Sequence, residues 1–119
     1  MKHTNLFVVT VADTAACMGS GTLDVLATPR LAAWMEQTAM EIIQVPPEQT
    51  TVGIALDVKH LKASAVGERI RCEADIAAVD GRRTMFQIDC YNDRDELIGT
   101  AAHTRVTVDV ARFMEHLKH

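Results

Sequence analysis

The sequence predicts an α+β domain in which an antiparallel sheet of five strands wraps around one long central helix. The 119 residues suffice for a single core and predict one domain, residues 1–119. Residues 27–45, ATPRLAAWMEQTAMEIIQV, are apolar around most of a helical circumference, so this helix must be covered on most of its sides. Several later segments alternate with a period of two, which is typical of an antiparallel sheet.

Composition excludes several classes of partner. The formal charge is -4 and no run of lysine or arginine occurs, so we expect neither nucleic acid nor an anionic membrane as a partner. The apolar runs are shorter than the roughly 18 residues of a spanning helix, and no signal-peptide core is present at the N-terminus. These features predict a cytoplasmic protein.

The spacing of cysteines and histidines predicts no metal site. Three cysteines occur without CxxC spacing, and five histidines occur without HxH or HExxH spacing. We therefore expect no disulfide framework, no zinc and no other cofactor. The cysteines are Cys17, Cys72 and Cys90, which we expect to be buried or idle thiols.

The first third of the chain should contain one strand, one loop and the long helix. Residues 6–12 are rich in β-formers, and the glycines of residues 13–24 indicate a loop. Thr28 suits the N-cap of the helix and Pro29 its first position, because proline has no N–H to leave unpaired there. The helix should run to about Gln44, since Pro46 and Pro47 stop it.

Four further strands should follow as an antiparallel meander. The first begins at Thr51, and its alternation places His60 on the same face as its buried aliphatic residues. That face contains Val52, Ile54, Leu56 and Val58. The next strands cover about residues 69–76, 84–91 and 97–108, with a hairpin turn at Asp80-Gly81, and a short C-terminal helix covers residues 109–117. A curved sheet around the helix is the hotdog arrangement, and it leaves one helix stripe for a partner subunit.

Two polar residues lie where apolar ones are expected. Glu36 projects from a face of small and apolar residues, so its carboxylate must find donors or shift its pKa, as catalytic groups often do. Its helical neighbours are Ala32, Ala33, Ala39 and Met40. A glutamate that pairs with a partner subunit's arginine is an equally good interpretation. His60 on a buried face is more often a satisfied core histidine than a catalyst.

With these residues identified, the chain resembles the fluoroacetyl-CoA thioesterase-like family of hotdog thioesterases. The similarity covers nearly the whole domain and rests on short motifs in the same order and spacing. They are GSG (residues 19–21), VLATP (25–29), WME (34–36), DVKH (57–60), VDGRR (79–83) and IGTAAHTR (98–105). The resemblance implies that Thr28, Glu36 and His60 are catalytic, that Gly53 lies beside the acyl group, and that Arg105 is a pocket arginine.

The implied reaction is hydrolysis of a small acyl-CoA to the free acid and coenzyme A. Glu36 could attack the carbonyl or activate water, His60 could pass a proton, and Thr28 could attack or only cap the helix. The fluoroacetyl-specific member has a phenylalanine-rich segment ahead of its helix, whereas residues 22–26 contain no aromatic residue, so the acyl group stays open. A non-catalytic acyl-CoA or small-ligand binding module, a ligand-free dimeric interaction domain and a dehydratase are the alternatives.

The spacing of Thr28 and Glu36 predicts a site shared between subunits. Eight residues separate their backbones by about 12 Å along one helix, too far for both to reach one carbonyl easily. In a two-fold dimer the helix start of one subunit can approach the helix middle of the other. We therefore expect a homodimer, or a dimer of dimers, with composite sites.

Overall fold

The computed structural model describes residues 1–118, and within them five antiparallel strands wrap around one central helix, as predicted. The strands are β1 (Lys2–Val8), β2 (Gln49–His60), β3 (Arg69–Asp80), β4 (Arg83–Tyr91) and β5 (Leu97–Asp109). The helices are α1 (Ala15–Met18), α2 (Thr28–Met40) and α3 (Val110–Glu115). The prediction of an α+β hotdog fold with a short C-terminal helix is confirmed.

Helix α2 packs its apolar side directly on the sheet. Leu31, Met35 and Ala39 are fully buried against core residues of β3, β4 and β5. A Cβ added to Gly99 on β5 would lie only 2.7 Å from Leu31 Cδ2. The missing side chain therefore lets the helix approach β5 closely, which is where the polar residues described below converge.

The strand order is β1-β3-β4-β5-β2, so the predicted meander of four consecutive strands is wrong for β2. Only β3, β4 and β5 follow one another as hairpins, whereas β2 pairs with β5. Residues 61–68 form too long a connection to impose a hairpin, and β1 occupies the position beside β3. Strand β2 is consequently an edge strand of the sheet.

The predicted opening strand, residues 6–12, is displaced toward the C-terminus relative to the observed β1. Strand β1 pairs with β3 from Lys2 opposite Asp75 to Val8 opposite Arg69. A 3-10 turn follows at Val11–Asp13. The prediction followed apolar content, but Leu6 lies on the exposed face with 76% of its surface accessible. Pairing with β3, which sequence composition does not reveal, sets the position of this strand.

The predicted loop over residues 13–24 contains the one-turn helix α1. The Thr14 hydroxyl accepts a hydrogen bond from the Cys17 N–H at 3.2 Å and caps this turn. Gly19 ends it with a φ of 78°, a conformation that glycine adopts at little cost.

Both ends of α2 differ from the prediction. Thr28 is the first helical residue and not the N-cap, because the carbonyl of Ala27 accepts the first helical bond from Leu31.

At the other end of α2, the regular helix stops at Met40 and not at Gln44. The chain tightens there into i to i+3 bonds, from Ile42 N–H to Ala39 and from Ile43 N–H to Met40. Pro46 disfavours helical geometry in the residue before it, so the stop signal acts several residues upstream.

A β-bulge in β2 overturns the predicted facing of its first half. Gly53 pairs with Arg105 and Ala55 pairs with Thr104, so Ile54 is an extra residue on β2. Ile54, predicted to be buried, is 50% exposed. Gly53, predicted to face away from His60, faces the helix with it. Only the second half of the strand, including Leu56 and Val58, follows the predicted pattern.

The three cysteines occupy two different environments. Cys72 and Cys90 are buried and directly opposite each other on β3 and β4, with their Sγ atoms 2.8 Å apart. The hydrogen bond with Cys72 and burial raise the pKa of the Cys90 thiol. Cys17 is exposed. All three are free thiols in the structure.

We expect Ellman's reagent to titrate one thiol in the native protein and three after denaturation, because burial protects Cys72 and Cys90. A Cys17→Ser variant is the matched control and should show no reactive thiol until it is unfolded. Rapid reaction of more than one native thiol would contradict the burial of the pair.

Candidate active site

Thr28 and His60 form a hydrogen-bonded pair where α2 begins and β2 ends. The Thr28 Oγ1 atom lies 2.7 Å from His60 Nδ1. A cavity of about 310 Å³ adjoins the pair and is also lined by Ser20, Val25 and Lys62. The hydroxyl that was predicted to cap the helix therefore contacts the histidine, so two of the predicted catalytic residues lie together.

His60 is held in a neutral state by its surroundings. Burial lowers the pKa of its imidazole, because the charged form loses hydration. Its Nε2 atom is buried without a hydrogen-bond partner among the described residues. A proton taken from Thr28 would therefore create an imidazolium whose second N–H has no acceptor within residues 1–118. Activation of Thr28 by His60 needs a further group to stabilise that charge.

Glu36 lies in a second group, at the middle of α2. Its Oε2 atom is 3.9 Å from Arg105 Nη1, while 42% of its side chain is exposed. Arg105 itself is buried, and burial lowers the pKa of its guanidinium while Glu36 opposes this shift. The carboxylate on an apolar helix face thus has a cation from its own chain, where the sequence left a partner subunit's arginine as an equal interpretation.

The backbone of Gly53 lies between these charged groups. A Cβ added there would lie 2.9 Å from Glu36 Oε2, 3.1 Å from His103 Cε1 and 3.3 Å from Arg105 Nη1. All three side chains therefore converge on a position that only glycine leaves open. The β-bulge makes this possible, because it turns Gly53 toward the helix.

His103 and Thr51 belong to this second group and were missed by sequence reasoning. Thr51 accepts a hydrogen bond from Arg105 Nε at 2.9 Å, and its carbonyl accepts one from Arg105 Nη2 at 3.0 Å. His103 is buried beside Arg105 on β5. One feature of the sequence could have revealed it: His103 and Arg105 are two residues apart, and so share one face of a strand.

The structure separates the predicted site residues into two groups. Thr28 and His60 form one, whereas Glu36, Gly53 and Arg105 form the other. Within residues 1–118 no hydrogen bond or ion pair joins Thr28 or His60 to Glu36. The two groups lie on the same side of the sheet.

Comparison with known proteins assigns the family. A model of the family described as FlK, fluoroacetyl-CoA-specific thioesterase, matches residues 9–111, which is most of the chain. The chain belongs to this family. The resemblance inferred from the sequence motifs is therefore confirmed, and the predicted thioester hydrolysis agrees with the activity by which the family is described.

Relatives within and around the fluoroacetyl-CoA-specific thioesterase family share the fold at low identity. The fluoroacetyl-CoA thioesterase of Streptantibioticus cattleyicolor is 26% identical over 92 residues, which span 76% of this chain and 66% of that protein. A crystal structure of the thioesterase FlK superposes with a TM-score of 0.92 at 22% identity, covering 99% of this chain and 93% of that chain. A thioesterase superfamily member from Thermus thermophilus gives a TM-score of 0.92 at 23% identity, covering 99% and 88%.

No helix among residues 1–118 is long and apolar enough to cross a membrane.

We expect the free energy of unfolding to fall as the pH decreases below about 6.5, the ordinary pKa of histidine. Burial lowers the pKa of both His60 and His103, so the unfolded chain binds more protons than the folded chain in this range. Their contribution to stability is therefore complete above the ordinary pKa and is lost as the pH falls toward the lowered values. Urea unfolding at about pH 7.5, 6.5 and 5.5 measures this trend.

The His60→Gln variant should lose part of this pH dependence, because it has no titrating ring at that position. His116→Gln, at an exposed histidine just beyond α3, is the matched control and should follow the wild type. Equal slopes in wild type and His60→Gln would show that burial does not hold His60 neutral.

Proposed function

We propose that the chain acts as one domain, residues 1–119, and hydrolyses the thioester of a small acyl-CoA to the free acid and coenzyme A. The observation that carries this proposal is the half-exposed carboxylate of Glu36, which is 3.9 Å from a buried arginine and borders the open position at Gly53. A thioester carbonyl that approached the exposed side of Glu36 would meet a carboxylate with a cationic donor beside it. Those are the two components that acyl transfer requires.

Glu36 is the group that delivers the attack. It either adds directly to the carbonyl carbon and forms an anhydride that water then cleaves, or it removes a proton from the attacking water. In both routes the C–S bond breaks, the acyl group gains the oxygen of water, and the sulfur of coenzyme A leaves as a thiolate that takes up a proton. Arg105 Nη1, 3.9 Å from Oε2, holds the carboxylate beside Gly53 for either role.

Thr28 and His60 act at the start of the helix. Their hydrogen bond of 2.7 Å places a hydroxyl beside the cavity, where it can donate to the oxygen or sulfur of the thioester. In this role Nδ1–H of the neutral His60 donates to the Thr28 oxygen, which leaves the hydroxyl hydrogen free for the thioester. We call these two groups half-sites. Thr28 and His60 supply the donor and Glu36 supplies the attacking group, so each half-site needs the other.

We propose that a homodimer, alone or within a dimer of dimers, brings the half-sites together. Strand β2 is an edge of the sheet, and it carries Gly53 and His60 at the two half-sites. An edge strand has unpaired backbone groups that a second copy can pair, and a two-fold axis repeats the contact in both directions. The Thr28 pair of one subunit would then face Glu36 of the other. We also propose that the protein is located in the cytoplasm.

The surroundings of Gly53 leave little room for an acyl chain. Three side chains lie within 3.3 Å of the position that a single added methyl would occupy, so a long or branched acyl chain has little room there. Structural relatives of this chain support the proposal: FlK variants have been crystallised with fluoroacetate and coenzyme A and with acetyl-CoA. Residues 22–26 contain no aromatic residue, so we propose a short acyl group without a preference for fluorine.

The Glu36→Gln variant should lower turnover at least about a hundredfold, because the amide can neither attack nor accept a proton. Release of coenzyme A from a panel of short and long acyl-CoAs measures the activity. The assay should use a Cys17→Ser background, since the exposed Cys17 thiol would otherwise react with the Ellman's reagent that detects free coenzyme A. Glu41→Gln, an exposed glutamate one turn beyond Glu36, is the matched control and should retain wild-type turnover.

Near-wild-type turnover in folded Glu36→Gln would reject the role of the carboxylate. Tight binding of acyl-CoA without hydrolysis of any member of the panel would favour the alternative function, a non-catalytic acyl-CoA binding module.

Mixing inactive Thr28→Ala and Glu36→Ala chains through unfolding and reassembly should restore about a quarter of wild-type activity if sites are shared across the dimer. Half of the randomly paired dimers are then mixed, and each mixed dimer has one intact site. Light scattering at micromolar concentration tests whether the chain forms a dimer. If each chain supplies a complete site, the mixture should stay as inactive as the separate variants.

A further inference from the structure

We propose that His103 is a positioning residue for Glu36, and that it acts through Arg105. This inference rests on the proposed function. It starts from a chain of contacts that begins at the β-bulge, passes through the His103 ring to the Arg105 guanidinium, and ends at the Glu36 carboxylate.

The two ring nitrogens of His103 have different partners. Nδ1 is 2.8 Å from the carbonyl oxygen of Ala55, and Nε2 is 3.3 Å from Arg105 Nη1. A carbonyl can only accept a hydrogen bond and a guanidinium can only donate one. The ring must therefore carry its proton on Nδ1 and present a lone pair at Nε2. Only 2% of His103 is exposed, so water cannot replace either partner.

Burial keeps the His103 ring in its neutral form, with a single proton. It lowers the pKa of the His103 imidazole, and the adjacent guanidinium acts in the same direction, against the opposing effects of the Ala55 carbonyl and Glu36. A second proton would place an N–H of the ring against an N–H of Arg105. The neutral ring thus acts as a fixed acceptor.

Thr51 contacts two of the three guanidinium nitrogens of Arg105, and His103 contacts the third. Thr51 binds Nε through its hydroxyl and Nη2 through its carbonyl, and these two bonds hold the far edge of the guanidinium. Nη1 is the nitrogen nearest Glu36, at 3.9 Å from Oε2, and among the described residues its hydrogen-bond acceptor is His103 Nε2. Because the guanidinium is a rigid plane, the two bonds to Thr51 leave it only a tilt about its Nε–Nη2 edge, and the contact with His103 Nε2 sets that tilt and so the position of Nη1 relative to the carboxylate.

The position of Glu36 depends in turn on this one cation. Arg105 is the ion-pair partner of Glu36 within residues 1–118, and the side chain is otherwise half-exposed on a helix surface. If Nη1 turns away, the carboxylate gains rotational freedom and loses its place beside Gly53. A displacement of about 1 Å in a reacting group can lower a rate by about a hundredfold. His103 thus affects turnover without contacting the thioester.

Two amide variants separate the two bonds of the ring. Counted in bonds from Cα, the side-chain amide nitrogen of Asn matches Nδ1, so His103→Asn keeps the bond to Ala55 and loses the acceptor for Arg105. The side-chain oxygen of Gln matches Nε2, so His103→Gln keeps the acceptor for Arg105 and loses the bond to Ala55. A purely structural role at the bulge and a role through Arg105 therefore predict opposite orders of activity.

We expect His103→Asn to lower kcat about 10- to 100-fold with little change in KM, and His103→Gln to restore most of kcat. In a Glu36→Gln background, His103→Asn should cause no further loss, because its effect passes through the carboxylate. Urea unfolding confirms that each variant is folded at the assay temperature. Wild-type kcat in His103→Asn, or equal losses in both variants, would overturn the assignment.

A second measurement does not depend on activity. Nitrogen-15 NMR of the wild type should show a protonated Nδ1 and an unprotonated Nε2 at His103, and the Arg105 side-chain resonances should shift in His103→Asn more than in His103→Gln. The opposite tautomer would overturn the inference. If the wild type hydrolyses no acyl-CoA while the NMR results hold, the proposed function fails and the contact between His103 and Arg105 stands.

Discussion

The extra residue in β2 is the constraint on which the rest of the site depends. Strand pairing alternates faces strictly, so without the bulge at Ile54 the backbone of Gly53 and the ring of His60 would lie on opposite sides of the sheet. The bulge turns both toward α2. It also presents the Ala55 carbonyl to a histidine side chain. One inserted residue thus brings the Gly53 backbone to the point where Glu36, His103 and Arg105 converge.

Burial of Arg105 explains why so many polar groups cluster on an otherwise apolar helix side. A buried guanidinium is costly unless its donors are satisfied, and Thr51, His103 and Glu36 share that task. The Glu36 carboxylate remains half-exposed, so it stays accessible while it contacts the buried cation. The polar network therefore supports both the packing of α2 against β5 and the chemistry proposed for the site.

Sequence reasoning succeeded where one residue's local environment was sufficient and failed where pairing decided the outcome. Glu36 stood out because its helical neighbours are apolar. For Thr28 the sequence left a helix cap and a catalytic role open, because local propensity favours the cap, whereas in the structure its hydroxyl contacts His60, a residue distant in sequence. His103 escaped notice because the small residues of β5 obscure its alternation, so the buried face of that strand could not be identified.

The sequence by itself determined the fold class, the family, the presence of one covered helix, and the identity of the residues that do not suit their faces. Periodicity, capping chemistry and short motifs contain that information, because each depends on residues near one another in the chain. The tertiary structure alone decided the strand order, the bulge, and which other residues join Thr28 and Glu36 in the two groups that the helix spacing already kept apart. Those features depend on which distant segments pair, and a shift of one residue in pairing reverses every side chain beyond it.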